Sequence, residues 1–327
     1  MPVLHPDRRQ LLASALGLSL VGLSACERAE PLVRVATNPW VGYTGLLLAR
    51  ELGHLNNPSL RLLELTTASD SLLALASDQV EAATLTLDEW LVAREGLLDL
   101  RVIMVFDESA GADVVMARPG ITRLEQLRGQ RVAVEETATG ALLLSRTLDA
   151  AGLRPDDVVK LSLAGAAQLA AYASGVVDAV VCFEPYATQL ARQGAHRLID
   201  SRRFPGVIMD VLAVRASALA ASPEAFKQLL VGYFQALAVL QNSAAQSAAL
   251  MAPALGISAL EFTAALKGVH LMSLENNRSL LDAAAPGLRP MARSVATLMQ
   301  RSGLLKQVPL LDGVMDGQFL PAPDWRA

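Results

Sequence analysis

Two segments of this chain, 97 residues apart, carry the same pattern. Residues 73–82 read LALASDQVEA and residues 170–179 read AAYASGVVDA, so that Ala76 corresponds to Ala173 and Val80 to Val177. Each segment is typical of the end of a helix, an Ala-Ser turn, and a strand that opens with Val, an acidic residue and Ala. This spacing is far longer than the repeat of a solenoid. The pattern therefore predicts two similar α/β lobes in one chain.

The residues around each segment alternate between strand patterns and helix patterns. Strand patterns cover residues 32–36, 60–65, 102–106, 114–117, 131–135 and 176–183, and helix patterns cover residues 44–52, 69–76 and 137–150. Such alternation indicates βαβ units and parallel-rich sheets flanked by helices. From Pro223 onward the chain is rich in Ala, Leu and Gln and reads as helical, with breaks at Pro253, Pro286 and Pro290. The predicted fold class is α/β.

The first 26 residues have the layout of an export signal. Arg8 and Arg9 precede an apolar run from Leu11 to Ala25, which is shorter than the about 20 residues that cross a bilayer. Residues 23–26, LSAC, resemble a bacterial lipobox, and cleavage there would leave Cys26 as a lipid-modified N-terminus. The Arg pair also resembles a twin-arginine signal. We expect an exported protein, periplasmic or on the cell surface, whose contact with the membrane is a lipid anchor alone.

Composition removes several classes of function. The 327 residues carry a formal net charge of −4 without a basic run, so nucleic acid binding is not expected. Two cysteines, one of them at the expected lipidation site, give no disulfide framework and no Cys/His metal set. No cofactor is expected. The length exceeds one typical core, which favours two lobes.

Further motifs follow one another in a specific order. PWVGY at 39–43 precedes the first helix, SD at 69–70 precedes the repeated segment, LEQLRGQRVAV covers 124–134, and FEPY covers 183–186. Together they resemble the nitrate/taurine/sulfonate and thiamine-precursor class of substrate-binding proteins of ABC transporters. The similarity covers roughly residues 32–215.

The resemblance implies a two-lobed periplasmic-binding-protein fold of type II whose chain crosses twice between the lobes. We place the crossings near residues 117–119 and 212–214, so that lobe 1 is 32–117 plus 213–327 and lobe 2 is 118–212. A small ligand would bind in the cleft, and the lobes would close about it. A monomer that delivers its ligand to an ABC permease is expected.

Ligands of open parallel sheets bind beyond the carboxyl ends of the strands. On this rule, supported at FEPY by the resemblance, the predicted ligand-binding residues are Trp40, Tyr43, Asp88, Asp113, Glu135, Thr139, Glu184 and Asp210. Glu184 is the strongest candidate among them. The set is rich in carboxylates and lacks Arg and Lys, whereas an anion prefers Arg, Lys or a free helix N-terminus. A carboxylate beside an aromatic face suits a cation.

The main expectation is therefore a nitrogen-bearing ligand, such as a cationic amine or an aminopyrimidine. The alternative is a small anion such as a sulfonate, taurine or nitrate, as in other branches of the class. An enzyme on the same fold is not expected, because His54, His196 and His270 lack recognisable catalytic partners. A binding protein that presents its closed form to a membrane signalling receptor remains open, since it would need the same lobes.

Overall fold

The chain folds around two β-sheets. The computed structural model describes residues 31–136 and 138–326; the predicted export signal, with Cys26, lies outside them. The strands of the first sheet are β1 (Val33–Thr37), β2 (Leu60–Glu64), β3 (Ala82–Thr86), β4 (Leu100–Ser109), β10 (Met209–Arg215) and β11 (Val269–Leu271). Those of the second are β5 (Asp113–Ala117), β6 (Arg131–Val134), β7 (Val159–Ser162), β8 (Ala179–Phe183) and β9 (His196–Asp200).

Helices cover both faces of the sheets. They are α1 (Thr44–Glu51), α2 (Ala68–Ala76), α3 (Leu87–Glu95), α4 (Ala138–Ala150), α5 (Ala166–Ala173), α6 (Tyr186–Arg192), α7 (Ala216–Ala221), α8 (Pro223–Asn242), α9 (Ala244–Met251), α10 (Ala259–Leu266), α11 (Leu274–Leu281) and α12 (Arg289–Arg301). Helix α1 packs against α8, and α3 packs against α12. Each sheet thus separates two clusters of buried apolar side chains.

The sheets are mixed rather than parallel-rich, which corrects the expectation. The strand order is β11-β4-β10-β3-β1-β2 in the first sheet and β7-β6-β8-β5-β9 in the second. β1 runs parallel to β2 and β3, and β6 runs parallel to β7 and β8. The strands that enter or leave each sheet at a crossing, β5 and β10, run antiparallel to both of their neighbours.

The repeated segments occupy equivalent places in the two sheets. In the first, Glu81 accepts hydrogen bonds from the backbone and guanidinium of Arg34 on β1. In the second, Asp178 accepts the same set from Arg131 on β6. The turns also match, because Asp78 and Gly175 both have a positive φ, 63° and 77°. The acids of the repeat therefore anchor each turn to the first strand of its own sheet.

The chain changes sheet earlier than the sequence indicated. The first change lies between Ser109 and Asp113, and the second between Asp200 and Met209. The expected boundary at residue 117 thus falls after β5 instead of before it, and the one at 212 falls inside β10. Gly111, with a φ of 121°, permits the tight first crossing, and its N–H donates to Ser201 Oγ at 2.7 Å in the second.

Among the described residues, no single helix is long and apolar enough to cross a membrane, and one bent pair, Ala244–Leu255 with Ala259–Leu266, passes that test by length and composition.

Candidate functional site

A cavity of about 50 Å³ lies where the two sheets face each other. A water needs roughly 10–15 Å³ on this measure, so the space fits a few waters or a small solute. Its walls come from strand ends and helix starts of both sheets. The first sheet's side contributes Asn38, Trp40, Tyr43, Ala68, Thr86, Glu89 and Asp210. The second contributes Asp113, Glu135, Thr139, Gly140, Leu143, Gln168, Val181, Cys182 and Phe183.

Six of the eight predicted residues lie in this wall: Trp40, Tyr43, Asp113, Glu135, Thr139 and Asp210. They are separated by up to 170 positions in the sequence. Trp40, Tyr43, Glu135 and Thr139 follow the carboxyl ends of β1 and β6, whereas Asp113 and Asp210 lie at the starts of the antiparallel strands β5 and β10. Asp88 lies behind the wall, next to the hydroxyls of Thr86 and Thr139, and burial raises its pKa to about 6. The role of the predicted residues in binding a ligand stays a prediction.

Glu184, the strongest sequence candidate, does not line the cavity. It is buried, with 1% of its surface exposed, and forms an ion pair with Arg197 on β9. Its second carboxylate oxygen accepts from the N–H of Thr188 at 3.0 Å. Because Arg197 also donates to the carbonyl of Gly111 at 2.5 Å, this carboxylate joins the FEPY loop to the first crossing. Its place is that of a structural ion pair.

The aromatic residues of the wall use their polar groups inside the protein. Trp40 Nε1–H donates to Asp107 Oδ2 at 3.3 Å, and Tyr43 OH donates to Asp210 Oδ1. The Trp40 ring meets Phe183 edge to face at 5.7 Å between centroids, so this contact joins the two sides of the cavity. What the indole and phenol offer a ligand is therefore ring surface.

Sequence reasoning missed two important carboxylates. Asp107 on β4 is the cross-strand neighbour of Asp210 on β10, and both are buried. Glu89 lines the cavity, where the prediction chose Asp88. The spacing of Thr86 and Glu89 is a signal that could have found it, because Thr-x-x-Glu is typical of a capping box and the structure has one.

The carboxyl groups in and beside the cavity wall have raised pKa values. Burial is the main cause at each position: it raises the pKa of Asp113 to about 7, of Asp107 to about 7 and of Glu89 to about 8. Burial, with the Asp107 charge next in importance, raises the pKa of Asp210 well above its usual range. Among the described residues no Arg or Lys side chain lines the cavity. The site therefore gathers acids without a cation of its own.

Two helix N-termini at the cavity, those of α2 and α3, already hold carboxylates of the chain. Glu135 Oε1 accepts from the backbone N–H and the hydroxyl of Ser69, in the first turn of α2, at 3.2 and 2.9 Å. Glu89 Oε2 accepts from the N–H of Thr86, the N-cap of α3, at 3.0 Å. Such N–H groups are the usual binding place for an anion. Here the chain's own acids take that place.

Cys182 also lines the cavity, but its thiol is not activated. Burial, followed by the Glu184 charge, raises its pKa well above the ordinary value. A nucleophilic or metal-binding cysteine needs the thiolate. Among residues 31–136 and 138–326, no three His, Cys, Asp or Glu side chains are arranged to hold a metal ion.

Known proteins share this fold and part of this sequence. The chain is 28% identical over 177 residues to an aliphatic sulfonates-binding protein of Escherichia coli (strain K12), covering 47% of this chain and 54% of that protein. It is 26% identical over 157 residues to the taurine-binding periplasmic protein of the same organism, covering 47% and 49%. The chain thus spans about half the length of the curated relatives it matches.

Solved structures match over nearly the whole chain. The alkanesulfonate-binding protein SsuA from Xanthomonas axonopodis pv. citri, bound to MOPS, superposes with a TM-score of 0.71 at 20% identity, covering 91% of this chain and all (100%) of that one. The desulfurization enzyme DSZB superposes with a TM-score of 0.63 at 17% identity, covering 88% and 97%. These matches confirm the two-lobed binding-protein fold.

These relatives confirm the resemblance to the nitrate/taurine/sulfonate class. The named relatives favour the alternative ligand of the sequence analysis, a small anion, over the cationic one. The match to the NMT1-like family extends over residues 28–255 of the 327, and the chain belongs to that family.

Proposed function

We propose that this chain is the solute-binding component of an ABC importer, exported and held to the membrane by a lipid on Cys26. The observation that carries the proposal is the cavity whose walls come from both sheets. A solute that touches both sides favours the closed state over the open one, and the closed state is what a permease can recognise. Presentation to a membrane signalling receptor would use the same closed state.

We further propose that the solute carries a positively charged or N–H-rich nitrogen, as a cationic amine or an aminopyrimidine does. The support is the set of buried carboxyl groups at the cavity with no Arg or Lys among the described lining residues. A cation there would satisfy Asp113 and Asp210, and it would also meet the ring faces of Trp40 and Tyr43. Cation–π contacts add about 0.5–2 kcal/mol.

A small anion such as a sulfonate is the second candidate, and the relatives' names favour it. In this cavity an anion would have to displace Glu135 from the first turn of α2. It would otherwise need the first turn of α4, which lines the cavity at Thr139 and Gly140, or protonated carboxyl groups as hydrogen-bond donors. The two candidates therefore predict opposite effects for Glu135→Gln, since removal of that charge helps an anion and weakens a cation.

Catalysis is not part of the proposal. The fold is shared with the enzyme DSZB, so the fold alone does not decide whether this chain catalyses a reaction. At the cavity, burial raises the pKa of the Cys182 thiol. The three histidines after the signal are absent from the described cavity wall. Neither Cys182 nor these histidines therefore supplies an activated nucleophile or a general base at the cavity.

The proposal is tested by thermal unfolding of the protein in the presence of a panel of compounds. The protein is first unfolded and refolded to remove any bound solute. The panel contains polyamines, guanidines, amidines and aminopyrimidines, opposed by taurine, alkanesulfonates and nitrate. A ligand at about 100 times its dissociation constant stabilises the protein by about 2.7 kcal/mol, which raises the midpoint by several degrees. If a nitrogenous cation raises the unfolding midpoint and Glu135→Gln reduces that rise, the result supports the main candidate.

If only sulfonates raise the unfolding midpoint and Glu135→Gln enlarges that rise, the result supports the anion. If no compound of either kind shifts the midpoint, the solute-binding proposal fails. Glu136→Gln is the matched control, because Glu136 is the exposed neighbour of Glu135 in the same loop and should leave every shift unchanged.

A further inference from the structure

Three buried acceptor atoms at the cavity have no hydrogen-bond donor among the described residues. They are Asn38 Oδ1, Asp113 Oδ2 and Asp210 Oδ2, and their residues are 7%, 5% and 2% exposed. Asn38 and Asp210 belong to the first sheet's side and Asp113 to the second. Buried acceptors are normally satisfied by protein or by a bound molecule. The missing donors are therefore needed on two opposite sides of the cavity.

The charges of these acceptors exclude several kinds of occupant. A simple anion such as nitrate or an alkanesulfonate brings no N–H donor and adds negative charge. A quaternary ammonium brings positive charge, but it has no N–H with which to satisfy an oxygen. A planar cation such as a guanidinium or an amidinium presents N–H groups along more than one edge and pairs with carboxylates through two parallel hydrogen bonds.

We propose that the ligand of this cavity is a small cation with N–H donors on at least two edges, of the guanidinium or amidinium class, that bridges Asp210 of the first sheet and Asp113 of the second. This inference rests on the proposed solute-binding function. It narrows the nitrogenous ligand to those with several donors, and it explains closure, because the two carboxylates reach a common partner once the sheets face each other.

Loading such a cation changes the protonation of the site. Asp107 and Asp210 are cross-strand neighbours, and Asp107 Oδ1 and Asp210 Oδ2 have no donor among the described residues. Without a ligand, these two buried carboxyl groups would share a proton. The groups around them are Tyr43, Trp40, Glu89, Asp113 and Tyr233, and none of these is a cation. The bound cation replaces the proton, which leaves to solvent as one carboxyl becomes a carboxylate.

Four small probes separate these possibilities: acetamidinium, its planar anionic isostere acetate, tetramethylammonium and methanesulfonate. Dissociation constants are measured by isothermal titration calorimetry on the parent protein and on Asp113→Asn, Asp210→Asn and the exposed control Asp324→Asn. We expect acetamidinium to bind at least about tenfold more tightly than tetramethylammonium. We also expect each cavity variant to lose about tenfold or more for acetamidinium, and the control to match the parent.

The proton is followed in the parent protein alone, so this readout does not depend on how a variant folds. In buffers of different ionisation enthalpy at pH 6, the heat of acetamidinium binding should show proton release, and less of it at pH 8.5. Binding without release overturns the exchange.

Equal affinity for tetramethylammonium and acetamidinium overturns the requirement for donors but leaves a cation-binding protein. Binding of methanesulfonate without acetamidinium overturns the inference and leaves solute binding intact. If none of the four probes binds, the inference fails, and the wider panel above decides the proposed function separately.

Discussion

Replacement of Asp113 by Asn should make the protein less sensitive to alkaline pH. Burial raises the pKa of this carboxyl to about 7 in the folded protein, from an ordinary value of 3.8. The unfolded chain therefore ionises at lower pH than the folded one. The folded state binds more protons between these two values, so its stability falls as the pH rises through that window.

The size of the effect follows from the same pKa. At about 1.36 kcal/mol per pH unit the full penalty is about 4 kcal/mol, of which about 3 kcal/mol develops between about pH 5 and pH 8. Asparagine has nearly the same shape and does not ionise. The free energy of unfolding of Asp113→Asn, relative to that of the parent, should therefore rise by about 3 kcal/mol from pH 5 to pH 8.

Urea unfolding of the parent, Asp113→Asn and the exposed control Asp324→Asn at a series of pH values measures this difference. The parent and the control should lose stability in parallel, and the Asp113 variant should lose less. If the curves of the parent and of Asp113→Asn stay parallel from pH 5 to pH 8, the carboxyl at 113 is not a buried neutral acid, and the reasoning about the cavity's charge is refuted.

Three further predictions follow from contacts at the site. Trp40→Phe keeps an aromatic ring against Phe183 but removes the N–H donor to Asp107; it should cost about 1 kcal/mol, and more at pH 8 than at pH 5, because the pKa of Asp107 rises further. Urea unfolding measures this cost, and Trp90→Phe is the control, because the buried Trp90 Nε1 has no acceptor among the described residues. An equal pH dependence of the free energy of unfolding in both variants would contradict the role of the Trp40 donor. Glu184→Gln should lower the free energy of unfolding by about 1–2 kcal/mol and leave ligand affinity unchanged, whereas a loss of affinity at unchanged stability would return Glu184 to the binding site. Gly42→Ala should abolish ligand-induced thermal shifts, because a Cβ there would lie 2.0 Å from Asp107 Oδ2 and 2.2 Å from Trp40 Nε1. Gly120→Ala is the control, because a Cβ there would have nothing within 4 Å, and it should behave as the parent. Thermal shifts of Gly42→Ala equal to those of the parent would refute this reasoning.

The repeated pattern gave a correct account of the two lobes because it arises from local rules. A helix, a turn with a left-handed residue and a strand need only neighbouring residues, and the acids Glu81 and Asp178 bind arginines at matching positions of the two sheets. The carboxyl-end rule then located Trp40, Tyr43, Glu135 and Thr139, since it depends only on strand direction. Asp113 and Asp210 lie instead at the starts of antiparallel strands.

What the sequence did not reveal depends on contacts between distant elements. Glu184 follows a strand end, as a ligand-binding residue would, but Arg197 of β9 reaches it across the intervening strand β5. Asp107 lies inside a long strand, and its importance comes from Asp210, which returns beside it about a hundred residues later. The crossing at Gly111 was instead placed near residues 117–119, because the positive φ of Gly111, 121°, cannot be read from the sequence.

The central claim is that a small solute with N–H donors binds between Asp113 and Asp210. The most direct measurement is a crystal structure of the protein soaked with equal concentrations of acetamidinium and methanesulfonate, with anomalous data that locate sulfur. The account predicts planar density without an anomalous peak, within hydrogen-bond distance of Asp113 and Asp210. An anomalous peak at the first turn of α2, with Glu135 displaced from Ser69, would contradict it.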